Sequence, residues 1–197
     1  MKANQPYRTK AAARACPRAW RWAAALILSL VAGTSESIDL GQWARHLVRH
    51  GDWTSLDFRD PFSGVFLAAR AGTDDPRTKA TLAFTAAPKQ GCVPDVTIAI
   101  HVGRPAITGS EQLSRVAVQL DEGTPRYLKA RIVIPQDDVF VFVEFLEKLS
   151  PNLLRNHQMM VVTIPDGERL EFSLRGFESA WKTAHATCLA FMPSKAN

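Results

Sequence analysis

The short segment around His50 contains residue types that phosphate-transferring enzymes use. Arg49 and His50 are adjacent, and Gly51 follows them. An activated imidazole at such a turn is a nucleophile, and the neighbouring guanidinium can hold a phosphate group. The nucleophile must sit at the end of a buried strand, where backbone N–H groups and a helix N-terminus can bind phosphate. His101 is the candidate second histidine of such a site.

The sequence around this motif predicts a helix rather than a strand. Asp39 is a candidate N-cap for residues 40–50, and Gly51 is a candidate terminator. The motif is similar to the phosphohistidine motif of the phosphoglycerate-mutase and acid-phosphatase families, which implies a small envelope hydrolase that uses Arg49 and His50. A strand that ends in a pocket favours this enzyme, whereas a helix end on the surface favours a binding module. We expect the helix end. The alternating strand–helix order of those enzymes is also missing from this sequence, which argues against the hydrolase.

Other combinations of histidine, cysteine and acidic residues give weaker signals for a metal or catalytic site. His46 and His50 have a spacing that lets two imidazoles share one metal ion on a helix, but no carboxylate or third ligand accompanies them. His157 and His185 are isolated in the sequence. The chain has no G-x-S-x-G, Walker or C-x-x-C motif. We therefore predict no catalytic residues, no metal and no cofactor.

The N-terminal residues have the order of a secretory signal peptide. Residues 1–22 carry six basic residues and no acidic one, residues 23–32 carry no charge, and small residues follow at 33–35. A membrane-spanning helix needs about 20 apolar residues, so this apolar stretch is short for an anchor. We expect residues 1–35 to be a signal peptide, which makes the mature chain periplasmic or secreted. An uncleaved N-terminal anchor is the alternative.

Removal of this leader changes the charge of the protein. The whole chain has 24 Lys+Arg and 19 Asp+Glu, a net charge of +5, and residues 1–37 contribute six basic residues and one acidic residue. The mature part therefore keeps 18 residues of each sign and has no net charge. A neutral exported domain does not attract nucleic acid through its net charge, so we predict no nucleic-acid partner.

Two cysteines remain after the leader, Cys92 and Cys188. An even number of cysteines in an oxidising compartment predicts a disulfide, with free buried thiols or a two-cysteine metal site as the alternatives. The roughly 160 residues after the leader are enough for one domain with its own core. We place this single exported domain at residues 38–193.

The mature sequence predicts a strand-rich first part, followed by a helix, a hairpin and another helix. Apolar and β-branched patterning predicts strands at residues 65–70, 80–84, 96–102, 113–120 and 127–134. Residues 159–164 and 169–174 flank Asp166-Gly167 and predict a β-hairpin, and a last helix spans residues 177–188. We predict an α+β fold with a mainly antiparallel sheet, two or three helices and one disulfide.

Residues 139–149 form an apolar stretch that we predict as the first of those two helices. Two preceding aspartates offer N-caps, and three charged residues recur at helical spacing. On that helix Phe140 and Val141 share the wet face with Glu144, where burial within the same domain is hardest. Apolar residues in such a place mark contacts, so Phe140, Val141 and Glu144 are the candidate protein-binding residues. A different helix rotation would bury the two apolar side chains inside the domain.

The C-terminal half resembles two groups of exported bacterial proteins. The most specific pieces are the strand end at residues 120–123 (Leu-Asp-Glu-Gly) and residues 172–180 (Phe-Ser-Leu-Arg-Gly-Phe-Glu-Ser-Ala), which lead to Cys188. Over residues 115–188 they resemble the VasI family of type VI secretion accessory proteins and the invasion-associated locus B (IalB) family. The chain lacks the additional cysteines of the IalB-like pattern. The resemblance implies a periplasmic or secreted accessory protein without a known catalytic site.

These observations together predict an exported, non-catalytic module that binds another envelope or secreted protein, with a role linked to secretion or host interaction. We expect no stable membrane span once the leader is cleaved. The hydrolase that uses Arg49 and His50 is the alternative function.

Overall fold

The computed structural model describes residues 43–193. The predicted signal peptide at residues 1–35 and the predicted N-cap Asp39 lie outside the described residues. Within residues 43–193, no helix is long and apolar enough to cross a membrane.

One antiparallel sheet of ten strands dominates the described part of the chain. Its strands are β1 (Ala44–His50), β2 (Trp53–Arg59), β3 (Phe66–Asp75), β4 (Ala80–Ala86), β5 (Asp95–His101), β6 (Ser110–Leu120), β7 (Arg126–Ile134), β8 (Phe140–Phe145), β9 (Met159–Thr163) and β10 (Arg169–Ser173). The helices are a 3-10 turn (Pro88–Gln90), α1 (Pro151–Leu154) and α2 (Phe177–Ala190). The order across the sheet is β1-β2-β3-β4-β5-β8-β7-β6-β9-β10. The predicted α+β class is confirmed in outline, although the sheet is larger than predicted.

Most predicted elements lie where the sequence pattern indicates. The five strands predicted from apolar patterning correspond to β3 through β7, and α2 corresponds to the last predicted helix. β9 and β10 form the predicted hairpin, in which Arg169 pairs with Thr163 on either side of the Asp166-Gly167 turn. No local pattern indicated β2, and β3 continues to Asp75, five residues beyond the end of the strand predicted at residues 65–70.

The helix predicted at residues 40–50 is wrong in the part that the structure describes, because Ala44–His50 forms β1. This strand pairs with β2 in an antiparallel ladder that ends at His50 and Trp53. Gly51 has a φ of +62° and belongs to the turn between the two strands, a conformation that glycine adopts without steric cost. A helix C-cap requires the same positive φ, which is why this glycine indicated the end of a helix.

The helix predicted at residues 139–149 is also wrong, because Phe140–Phe145 forms β8, which lies between β5 and β7. Val141 and Val143 pack towards the main core, whereas Phe142 packs into a smaller cluster on the outer face of the sheet. A strand with both faces covered has an almost uninterrupted apolar sequence, so the alternation that identifies a half-exposed strand is hidden.

The sheet curls, so that its last strand, β10, meets the end of β3. The backbone N–H of Glu171 donates to Asp75 Oδ2 at 2.8 Å, and Trp53 Nε1–H donates to the carbonyl of Ser173 at 2.7 Å. Helix α2 packs against β2 and β3. The Trp53 ring lies 4.7 Å from that of Phe177, centroid to centroid, at the centre of the main core.

Cys92 and Cys188 form the predicted disulfide. Cys92 follows the 3-10 turn, Cys188 lies in the last turn of α2, and both side chains are buried. The bond joins residues 96 positions apart and ties α2 to the loop before β5. The two cysteines are therefore neither free buried thiols nor the ligands of a two-cysteine metal site.

Candidate functional site

The residues proposed from the sequence as a protein-binding surface do not share one face. In β8, Val141 packs on the core, while Phe140 lies on the outer face, 5.2 Å from the ring of His101. Glu144 pairs with Arg131 of the neighbouring strand. The helical argument for a joint surface is therefore wrong, because neighbouring residues of a strand point to opposite faces. A binding role stays a prediction for each of these residues.

Arg49 and His50 end a strand, and neither lines the two grooves described below. His50 Nε2 is 2.9 Å from Ser55 Oγ in the adjacent strand, and Arg49 Nε–H donates to the carbonyl of Gly51 at 3.0 Å. His101 is on β5, which is separated from β1 by β2, β3 and β4. The structure therefore does not bring together the two histidines that the phosphatase interpretation requires.

The histidine pair considered as metal ligands is also separated. His46 Nδ1 lies 2.7 Å from Asp57 Oδ1, while His50 is bonded to Ser55. The two belong to a strand whose pairing with β2 shifts register between Arg45 and Val48. Among residues 43–193, no group of three or more histidine, cysteine or acidic side chains is placed to hold a metal ion.

A histidine–aspartate pair that the sequence analysis missed lies at the end of β6. Asp121 Oδ2 accepts a hydrogen bond from His157 Nδ1 at 2.7 Å, and Oδ1 accepts from the backbone N–H groups of Gln158 and Met159. The His157 bond, followed by the two backbone bonds, lowers the pKa of the Asp121 carboxyl. The strand end at residues 120–123 was noted in the sequence, but its partner is 36 positions away. No local pattern connects the two.

A groove of about 350 Å³ opens beside this pair, between the β6–β7 hairpin and the segment around α1. We call it the β6–β7 groove. Its floor is apolar and consists of Val118, Leu120, Leu128, Leu149 and Leu153. Its polar lining consists of Thr124, Arg126, Lys148, Ser150 and His157. The groove combines an apolar base with groups that donate hydrogen bonds or carry positive charge.

A second surface runs along α2. Trp181, His185 and Leu189 recur every four residues, so they form one stripe on the helix. The Trp181 and His185 rings stack with centroids 5.4 Å apart, and Leu189 is exposed. These three residues line a smaller groove of about 210 Å³ between α1 and α2.

The apolar stripe continues past the end of α2. Phe191 stacks on Phe66 with ring centroids 4.3 Å apart, and the Arg59 guanidinium lies 5.0 Å from the Phe191 ring. Phe62, in the loop between β2 and β3, is 95% exposed. We define the helix-end surface as the exposed and half-exposed residues of these two regions: Phe62, Val65, Trp181, His185, Leu189 and Phe191.

The loop that carries Phe62 is held by a carboxylate. Asp60 Oδ1 accepts hydrogen bonds from the backbone N–H groups of Phe62 and Ser63 and from the Ser63 hydroxyl. The backbone bond from Ser63 is the first cause of a lowered pKa of the Asp60 carboxyl. Local hydrogen bonds therefore hold the backbone of the loop that carries the exposed Phe62 ring.

No family model, curated protein or solved structure is significantly similar to the chain. The resemblance to VasI-like and IalB-like proteins therefore stays a prediction.

The groups of the β6–β7 groove do not include a hydrogen-bonded nucleophile–base pair among residues 43–193. Ser150 lies in the same groove as His157, but its hydroxyl accepts the backbone N–H of Asn152 as the cap of α1. A nucleophile needs to be within hydrogen-bond reach of its base, and no hydrogen bond joins Ser150 to His157 in the described part of the chain. The Asp121 carboxylate accepts three hydrogen bonds, two of which anchor the backbone at the start of β9.

Proposed function

We propose that the mature chain is an exported, non-catalytic accessory module that binds another envelope or secreted protein. The observation that carries this proposal is the helix-end surface, which exposes Leu189 and Phe191 at the end of α2 and Phe62 and Val65 in the segment before Phe66, on which Phe191 stacks. Contiguous exposed apolar residues mark interaction sites, whereas single ones are ordinary. The leader-like N-terminal sequence and the disulfide support export, because disulfides persist in oxidising compartments.

The helix-end surface rests on ordered groups, which favours its use as a binding surface. The Cys92–Cys188 bond anchors the last turn of α2, and Phe66 supports the Phe191 ring. A surface that is already ordered loses less conformational entropy on binding. Exposed aromatic residues on such a base are the type that contributes most to protein–protein affinity.

The charges around the surface indicate the chemistry of the partner. Arg155 lies 3.5 Å from Glu178, whereas Lys182 makes no ion pair with any residue between 43 and 193. Lys182 and Arg155 both line the α1–α2 groove beside Trp181. We propose that the partner contributes an apolar segment flanked by an acidic residue that faces Lys182.

The proposal is tested by expressing the full-length chain and examining its exported product. In each variant one residue of the helix-end surface is made acidic. Phe62→Asp and Leu189→Asp remove apolar contacts from two parts of the helix-end surface. Ile107→Asp is the matched control, because Ile107 is 89% exposed in a loop outside the surface. A photo-crosslinking residue at position 186 of α2 identifies what the surface contacts in the native envelope.

We expect one specific crosslinked protein. Its crosslinking yield should fall at least about tenfold in Phe62→Asp and Leu189→Asp, because losing an apolar contact worth about 1.4 kcal/mol weakens the affinity tenfold. Ile107→Asp should keep the full yield. Equal yields in all three variants would contradict the proposal, and so would crosslinks to many unrelated proteins that no variant changes.

One observation favours the alternative hydrolase enough to test it. β1 is a strand that ends at His50, which meets one requirement of the enzyme interpretation, but five of its seven residues are exposed rather than buried. The His50→Ala variant separates the two functions. A binding module should retain its partner in this variant, whereas phosphate-ester hydrolysis that disappears with the imidazole would establish the enzyme.

A further inference from the structure

The floor of the β6–β7 groove is continuous with the main core. Val118 and Leu149 are buried, and Leu153 of α1 lies at the exposed side. The volume of about 350 Å³ is at the lower end of the range for sites of small molecules. An apolar floor of this size accommodates one hydrocarbon chain rather than a pair of chains.

The rim of the groove carries cations without internal partners. Arg126 and Lys148 make no ion pair with any residue in the described range 43–193. By contrast, Arg131 on the same β7 strand is paired with Glu111 and Glu144. Two unpaired cations beside an apolar floor attract an anionic group whose remaining atoms are apolar.

Two acidic groups near the groove are already engaged, and a third, Glu122, is exposed in the turn after β6. Asp121 is bonded to His157 and to two backbone N–H groups, and Glu147 accepts the backbone N–H of Lys129. Because Nδ1 of His157 is held by Asp121, its Nε2 is the ring nitrogen left for a ligand. The hydroxyl groups of Thr124 and Ser150 complete the polar lining.

We infer that the β6–β7 groove binds a free single-chain carboxylate, with its headgroup at Arg126 and Lys148 and its hydrocarbon chain along the apolar floor. Charge-assisted hydrogen bonds from a guanidinium and an ammonium group suit a carboxylate. This ligand site is separate from the helix-end surface and does not depend on the proposed protein partner.

The inference is tested by calorimetric titration of the exported protein with dodecanoate below its micelle concentration. The charge control is dodecyltrimethylammonium, which has the same chain and the opposite charge. The double variant Arg126→Glu with Lys148→Glu reverses the charge of the rim. Its control is Arg104→Glu with Arg169→Glu, which changes net charge equally at two exposed positions outside the groove.

We expect saturable one-to-one binding of dodecanoate and none of the ammonium compound. Rim reversal should weaken the affinity by at least about tenfold, the effect of one lost charged contact, whereas the control double variant should bind like the unchanged protein. Equal binding of both amphiphiles, or equal affinities of the two double variants, would overturn the inference. Binding to anionic vesicles without binding of monomeric dodecanoate would also overturn it, since it indicates a membrane surface.

A second variant, Leu153→Asp, tests the inference even if the double variant does not fold. Leu153→Asp places a charge on the apolar floor at a partly exposed position, and Leu113→Asp is its exposed control outside the groove. Circular dichroism checks that both variants remain folded. We expect only Leu153→Asp to weaken dodecanoate binding, and an unchanged affinity would count against the apolar floor.

Discussion

The backbone of Gly176 lies so close to the carbonyl oxygen of His50 that a Cβ atom at Gly176 would overlap that oxygen. Gly176 is the N-cap of α2 and has a φ of +94°. One residue earlier, the carbonyl of Arg175 accepts the backbone N–H of Asp52 at 3.0 Å. The start of the C-terminal helix is therefore packed directly on the β1–β2 turn, and this approach requires glycine.

We predict that Gly176→Ala lowers the free energy of unfolding by about 2–5 kcal/mol, since a positive φ costs about 1–2 kcal/mol and an overpacked contact about 1–3 kcal/mol. Gly167→Ala is the matched control, because Gly167 has a φ of +90° and an added Cβ atom would meet no other atom within 4 Å. This control should cost about 1–2 kcal/mol. Urea unfolding of both variants measures the difference, and equal losses would contradict a steric role for the His50 carbonyl.

The Cys92–Cys188 disulfide should contribute strongly to stability, because it closes a loop across 96 positions of sequence. We predict that the double variant Cys92→Ser with Cys188→Ser loses about 4–5 kcal/mol of unfolding free energy in the chain-entropy model. Urea denaturation of the oxidised protein, the reduced protein and the variant provides the comparison. The reduced protein should resemble the variant, and two titratable thiols in natively exported protein would contradict the bond.

The elements that could be predicted from the sequence are those whose local pattern matches their environment. β6 and β7 show recognisable apolar patterning, and the Asp166-Gly167 turn identifies the β9–β10 hairpin. The errors occurred where one local signal fits two structures. Gly51 meets the need for a positive φ in a hairpin turn as well as it would at a helix end, and the two covered faces of β8 give it the apolar continuity of a buried helix.

The candidate surfaces were less predictable than the fold, because they depend on contacts between distant residues. Asp121 meets His157 only when β6 pairs with β9. The helix-end surface joins the start of β3 to the end of α2 through the stacking of Phe66 and Phe191. Helical periodicity places Trp181, His185 and Leu189 on one stripe, but it does not show what part of that stripe the sheet leaves exposed.

The Asp121–His157 pair should make stability depend on pH in the acidic range. The pKa of Asp121 is lowered from 3.8 in the folded protein, so its stabilising contribution is full above the unfolded pKa and is lost as the pH falls through the folded pKa. We predict that Asp121→Asn is less stable than the unchanged protein at pH 7 and that the difference shrinks below about pH 4. Chemical denaturation at several pH values measures this, with Glu122→Gln as the neighbouring control. A difference that is independent of pH would contradict a role for the carboxylate charge.

Phe140 distinguishes the outer face of β8 from the helix-end surface as the place of partner binding. Its ring is half-buried against His101 and Phe142, so we predict that Phe140→Asp destabilises the domain by about 1–3 kcal/mol without unfolding it. Phe142→Asp, on the same strand and face but 1% exposed, should cost more than about 4 kcal/mol, because it buries an unpaired charge. Thermal unfolding of both variants checks this order, and equal losses would place Phe140 in the core.

If Phe140→Asp is folded, we expect it to retain the protein crosslinked at the helix-end surface. A folded variant that loses this partner would show instead that the outer face of β8 takes part in binding.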